Sequence, residues 1–213
     1  SGVDDMADNT CHFGINNFFA DNGLGENDNT RLYYPADSRQ LKAVLKTVFD
    51  DSGLRFIFST RSAVPTVLND ADQPFFDDAY QFVPNRDDLI REGDAGYVVT
   101  YGEMLYRCLD VVERLRQNGG PQVGLVNKAT LNLIDETMLE KLGRAPFVLV
   151  VETQNLKTGL GARLGTWLLE RGYHPRYAHM GAVREGAGGL TEQIPHQGMS
   201  QTDIQRKIEA LLS

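Results

Sequence analysis

The chain has 213 residues, which suits one large domain or two small ones. Its apolar share of 41% is enough to pack a core and excludes wholesale disorder. A net charge of −8 with no basic run excludes a nucleic-acid groove, because phosphate backbones need clustered Lys and Arg. No run of ~18 apolar residues suggests a membrane helix. The start Ser1-Gly2-Val3-Asp4-Asp5 is acidic and has no apolar stretch, so no signal peptide is predicted. Cys11 and Cys108 lack CxxC spacing and read as free thiols in a reducing compartment, with a cytoplasmic location expected.

Residues 1–30 are rich in Asn, Asp and Gly, with Phe13, Phe18 and Phe19 among them, and read as loop around a short buried element. Such an opening suggests that further chain precedes it. Arg31 to Tyr34 then reads as a strand. Asp37 or Ser38 can cap a helix over 39–50, where Leu41, Val44, Leu45, Val48 and Phe49 recur at helical spacing. Gly53 ends that helix, and Arg55 to Ser59 is a second strand, which completes one β-α-β unit of a parallel sheet. Residues 66–94 have little periodicity and many Asp, Asn and Pro, and read as a linker between two domains.

A regular alternation follows. Strands are predicted at 95–101, 123–126, 147–151 and 177–180. Helices are predicted from Met104 to Leu115, from Asp135 to Leu142, around Leu160 to Leu168, and over 201–212 with Ser200 or Thr202 as cap. Gly119 and Gly172 follow helix ends. The wholly apolar 147–151 strand fits one covered on both faces. The alternation implies an open, doubly wound sheet.

Several residues could carry chemistry. Arg61, just past a strand end, could clamp a phosphate with its planar donor fork, or form a surface ion pair. His12 could relay a proton or bind a hydroxyl, or be a loop histidine; Asp8 could bind a hydroxyl or cap a turn. Glu152 follows an apolar strand and precedes Gly159-Leu160-Gly161, a phosphate-loop-like pair of glycines. We read Glu152 as a structural hydrogen-bonding group and the glycine pair as tight packing of a helix on the sheet. His174, His179 and His196 lack metal-ligand spacing, and no metal site is predicted.

Residues 95–213 resemble the carboxyl-terminal domain of transketolases and of the related 2-oxoacid dehydrogenase beta subunits. The resemblance rests on four stretches in register: Val98-Val99-Thr100-Tyr101-Gly102 before a long helix; Gly124 to Asn127 leading through Leu133-Ile134-Asp135; Val150-Val151-Glu152-Thr153 followed by Gly159-Leu160-Gly161; and the tail from Gly198 through Ile204. Residues 1–70 resemble the end of the family's pyrimidine-binding domain. Tyr34-Pro35-Ala36-Asp37 is similar to "wrPaD", and Ser59 to Pro65 to "SRqnlP", whose Arg corresponds to Arg61. Asp8 to His12 is similar to "DGPTH", with Asn9, Thr10, Cys11 and Phe13 departing from the pattern.

This resemblance implies an α/β chain: a partial three-layer pyrimidine-binding domain over 1–70, a linker over 71–94, and a doubly wound, mostly parallel sheet over 95–213. It implies a parent enzyme of carbohydrate metabolism that moves a two-carbon ketol unit between phosphorylated sugars, using thiamine diphosphate and Mg2+. Arg61 and Asp8 would bind substrate, and His12 would act catalytically. The family's "GDG…N" diphosphate motif and its cofactor glutamate find no counterpart in this sequence. The isolated chain is therefore expected to be inactive, and to associate as a homodimer or with an amino-terminal part. Two other readings are a 2-oxoacid dehydrogenase beta subunit and a non-catalytic dimerisation or regulatory module on the same fold.

Overall fold

The computed structural model describes residues 3, 17–21, 29–185 and 193–213. A 3-10 turn covers Asn17–Ala20. Strand β1 (Thr30–Tyr33), helix α1 (Ser38–Val48) and strand β2 (Leu54–Ile57) form the β-α-β unit expected from the sequence. The two strands run parallel, with Arg31 beside Arg55 and Tyr33 beside Ile57. The side chain of Asp37 caps α1 by accepting the Gln40 N–H at 2.8 Å. The stripe that α1 buries is Gln40, Val44 and Val48, whereas Leu45 and Phe49 of the predicted apolar face are exposed among the described residues.

The expected linker is structured at its end. Asp88–Arg91 forms β3, which pairs antiparallel with β5 (Val123–Asn127). Phe76 and Phe82 from the same stretch are buried and pack into two different apolar clusters. Periodicity missed β3 because it is short and carries charges, Asp88 and Arg91, which fold inward only with partners. The Arg91 guanidinium meets Asp70 at 2.8 Å and Glu113 at 2.5 Å and donates to the Leu68 carbonyl.

The remaining elements follow in alternation: β4 (Gly96–Thr100), α2 (Met104–Gln117), β5, α3 (Glu136–Gly143), β6 (Phe147–Asn155), α4 (Leu160–Glu170), β7 (Arg176–Ala182), a short α5 (Gln193–His196) and α6 (Gln201–Leu212). The sheet order is β3-β5-β4-β6-β7, parallel except for β3 at one edge. Successive side chains point to opposite faces, so each strand feeds two cores. Val98, Leu125, Leu149 and Val151 face α2 and α6, with Met104, Leu105, Cys108, Val111, Ile204 and Ile208. Tyr97, Val99, Val126, Val148 and Val150 face α3 and α4, with Leu139, Leu142, Leu160, Leu164 and Leu168. Each fully buried aliphatic side chain contributes roughly 1.5–3 kcal/mol. Two faces of such residues make this sheet the stable body of the chain.

Helix ends obey local rules. Ser200, one of the two predicted caps, forms a reciprocal capping box with Asp203. Gly119 and Gly172 sit just past α2 and α4 at φ +69° and +74°, left-handed values that L side chains resist. Cys108 is a free, fully buried thiol on α2, and burial pushes its pKa up to about 12, so it is inert. Cys11 lies outside the described residues. Among the described residues no helix is long and apolar enough to cross a membrane.

Candidate functional site

The carboxyl ends of β1 and β2 lie side by side, and the chain leaving each one lines a common cleft of about 350 Å3. From β1 come Pro35, Asp37 and Ser38; from β2 come Ser59, Thr60 and Ser62. Glu103, buried at the start of α2, closes the cleft from the larger sheet. Arg61 stands between two lining residues and is exposed. Its turn is shaped by the Thr60 hydroxyl, which donates to the Ser62 carbonyl at 2.8 Å. Arg61 is thus beside the cleft in sequence without being one of its lining residues. Asp8 and His12 lie outside the described residues.

A buried polar network ties this cleft to the larger sheet. The Ala36 N–H donates to Gln40 Oε1 at 2.8 Å, and Asn127 Nδ2 of β5 donates to the same oxygen at 3.2 Å. Gln40 Nε2 donates to Asp88 Oδ2 at 2.9 Å. The Tyr80 hydroxyl donates to Asp88 at 3.0 Å, and Asn127 Nδ2 donates to it at 3.1 Å. Burial pushes the Asp88 carboxyl up to about 6, against the opposing pull of these donors. Sequence reading missed Gln40, because a polar residue on a helix's buried stripe has no periodic signature. Glu103 was also missed; its only cue is its place directly after Thr100-Tyr101-Gly102.

The glycine pair at α4 is not a phosphate cradle in this chain. Both Glu152 oxygens reach the helix start: Oε2 accepts the Leu160 N–H and Oε1 the Gly161 N–H, each at 2.8 Å. The Tyr101 hydroxyl donates to Oε2 at 2.7 Å. Glu152 thus has the hydrogen-bonding role read from the sequence, although β6 runs past it to Asn155. A Cβ on Gly159 would fall 2.2 Å from that carboxylate, so glycine is needed for the approach. Burial raises the pKa of Glu152, and the two backbone donors and Tyr101 pull it back down.

A β-α-β unit and a doubly wound, mostly parallel sheet, with a cleft at their junction, define an α/β protein of the open-sheet class, in which ligands commonly sit at strand carboxyl ends. The chain belongs to the transketolase C-terminal domain family, whose pattern matches residues 87–204. It is 22% identical over 199 residues to one of the subunits of the apulose-4-phosphate transketolase of Actinobacillus succinogenes, an alignment covering 92% of this chain and 60% of that protein. Over 130 residues it is 24% identical to the 1-deoxy-D-xylulose-5-phosphate synthase of Geobacillus thermodenitrificans, covering 59% of this chain and 20% of that one. Among solved structures, a split-gene transketolase described as an inactive beta4 tetramer superposes with a TM-score of 0.74. The sequences are 24% identical, and the match covers 86% of this chain and 57% of the other. The chain therefore spans little more than half the length of these transketolase relatives.

The family depends on thiamine diphosphate. The described residues do not fit a metal-bound diphosphate. Among them no group of three or more His, Cys, Asp or Glu could hold a metal ion. The glycine-turn amides, the one phosphate-loop-like feature read from the sequence, already bind Glu152.

Proposed function

We propose that this chain is the carboxyl-terminal portion or subunit of a transketolase-type transferase that moves a two-carbon ketol unit between phosphorylated sugars. The match of residues 87–204 to the family carries this reading. Two relatives are named for phosphorylated carbohydrates, which favours a substrate phosphate as the partner of Arg61. Thiamine diphosphate, with Mg2+, supplies the carbanion chemistry and belongs to polypeptide beyond this chain. This chain contributes the end of the pyrimidine-binding domain over 1–70 and the association-supporting domain over 95–213. Its own residues act on the substrate: Arg61 neutralises the phosphate, Asp8 accepts from a sugar hydroxyl, and His12 holds or relays a hydroxyl proton. The assembly is a homodimer of the completed protein, or a complex with the amino-terminal part.

Two measurements test this reading. Calorimetric titration of the isolated chain with thiamine diphosphate and Mg2+ gives no heat, and ketol transfer appears once the cofactor-binding polypeptide is added. Saturable cofactor binding by the chain alone overturns the division of labour. In the completed enzyme, Arg61→Ala raises KM for a phosphorylated acceptor about tenfold or more and leaves an unphosphorylated one unchanged. An unchanged KM removes Arg61 from the site.

A further inference from the structure

We infer that Asp37 is the positioning residue of the Arg61 loop, and so sets how strongly the cleft prefers phosphorylated over unphosphorylated sugars. The inference rests on the phosphate-binding role proposed for Arg61. It starts from a carboxylate that serves two elements at once. Oδ1 accepts the Gln40 N–H at 2.8 Å and caps α1; Oδ2 accepts the Val67 N–H at 3.0 Å. Capping α1 requires only the first bond. The second ties the start of α1 to the segment that returns from the loop.

The loop carrying Arg61 is thus pinned at both ends. Where it leaves β2, the Phe58 N–H donates to the Tyr33 carbonyl at 2.8 Å. Where it returns, Val67 is buried and held by Asp37. Between these points Ser59, Ala63, Pro65 and Thr66 are exposed, and the Thr60 hydroxyl closes the turn on the Ser62 carbonyl. Asp37 is itself only 4% exposed, and its place is fixed by Gln40, whose side chain binds the Ala36 N–H, Asn127 and Asp88. A continuous line of hydrogen bonds therefore runs from the larger sheet, through α1, to the loop. A guanidinium shifted by about 1 Å loses paired contacts to a phosphate, and such displacements cost up to two orders of magnitude in site function.

The discriminating variant is Asp37→Ser. Serine caps a helix about as well as aspartate, but its single short hydroxyl cannot also span to Val67. The completed enzyme, with its cofactor-binding polypeptide, is titrated with ribose 5-phosphate and with ribose, and binding is followed by calorimetry. Asp37→Ser lowers ribose 5-phosphate affinity about fivefold to tenfold, leaves ribose unchanged, and has no further effect in an Arg61→Ala background. Asp37→Asn, which keeps one acceptor oxygen, shows a smaller loss and serves if the serine variant does not fold. If Arg61→Ala weakens ribose 5-phosphate but Asp37→Ser does not, the positioning role is overturned and Arg61 keeps its own. An equal loss from Asp37→Ser with and without Arg61 also overturns it, since that marks general loosening. If Arg61→Ala changes nothing, or wild type does not prefer ribose 5-phosphate to ribose, the phosphate reading falls and the positioning role falls with it.

Discussion

Gln40 of α1 and Asp88 of β3 meet in the interior, Nε2 to Oδ2 at 2.9 Å, and join the first β-α-β unit to the larger sheet. Asp88 faces Tyr80, Asn127 and Gln40, with Asp87 and Arg86 acting from farther off. Its folded pKa, about 6, lies above the ordinary 3.8, so folding favours the protonated form. The associated stability is fully present below about pH 4 and is lost as pH rises through about 6. Asp88→Asn removes this term while keeping a side chain that Tyr80 and Asn127 can bond. The variant gains on wild type between pH 4 and 7, by up to about 3 kcal/mol at 1.36 kcal/mol per pKa unit. Urea unfolding across that range reads the difference; a flat or falling difference curve refutes the account.

Removing the Glu152 carboxylate leaves the Leu160 and Gly161 amides and the Tyr101 hydroxyl without their acceptor in a dry interior. Glu152→Ala is therefore expected to cost about 3 kcal/mol or more, and Glu152→Gln distinctly less, since one oxygen stays as an acceptor. Thermal unfolding of both variants decides the point. Equal Tm values for alanine and glutamine would mean that the carboxylate merely fills space.

Lys128 is buried at the end of β5, with its ammonium 3.1 Å from Asp87, 2.7 Å from the Leu133 carbonyl and 5.6 Å from the Trp167 ring centre. Lys128→Met strands a buried carboxylate and should destabilise by about 3–5 kcal/mol. Adding Asp87→Asn should restore most of that loss, because no unpaired charge remains. A double-mutant cycle showing simple additivity would argue that the two groups do not interact.

Gly124 of β5 stands opposite Tyr97 of β4, and a Cβ there would fall 2.2 Å from the Tyr97 ring. The ring is also held by its hydroxyl, which donates to Glu92 at 2.9 Å. Gly124→Ala is thus an overpacking change in the middle of the sheet, expected to cost about 1–3 kcal/mol. A urea midpoint equal to that of wild type would show that the ring swings aside freely.

The sheet was legible because its signal is local. The apolar run at 147–151 and the helical spacing from Met104 to Leu115 need no knowledge of distant residues, and both elements form where expected. Helix starts were legible for the same reason, since Asp37 and Ser200 cap within their own turn. Elements whose burial depends on remote partners were not legible. Asp88 and Arg91 look like solvent-facing charges until Gln40, Asn127, Glu113 and Asp70 are brought to them. The face of α1 was misread likewise: Leu45 and Phe49 outrank Gln40 in hydrophobicity, yet the interior next to the first turn of α1 is polar and accepts the glutamine, while Val44 and Val48 meet an apolar cluster. The resemblance singled out Arg61 from its motif alone, whereas the second bond of Asp37, to Val67, appears only in three dimensions.

Glu152 also decides how the larger sheet behaves toward its surroundings. The start of a helix after a glycine turn is a place where dissolved phosphates dock and leave, so that occupancy follows their concentration. Here the docked anion is a side chain tethered to the neighbouring strand, and it is present at every concentration. The junction between β6 and α4 is accordingly saturated from the moment of folding. It works as a fixed joint between strand and helix, its anion supplied by the chain itself.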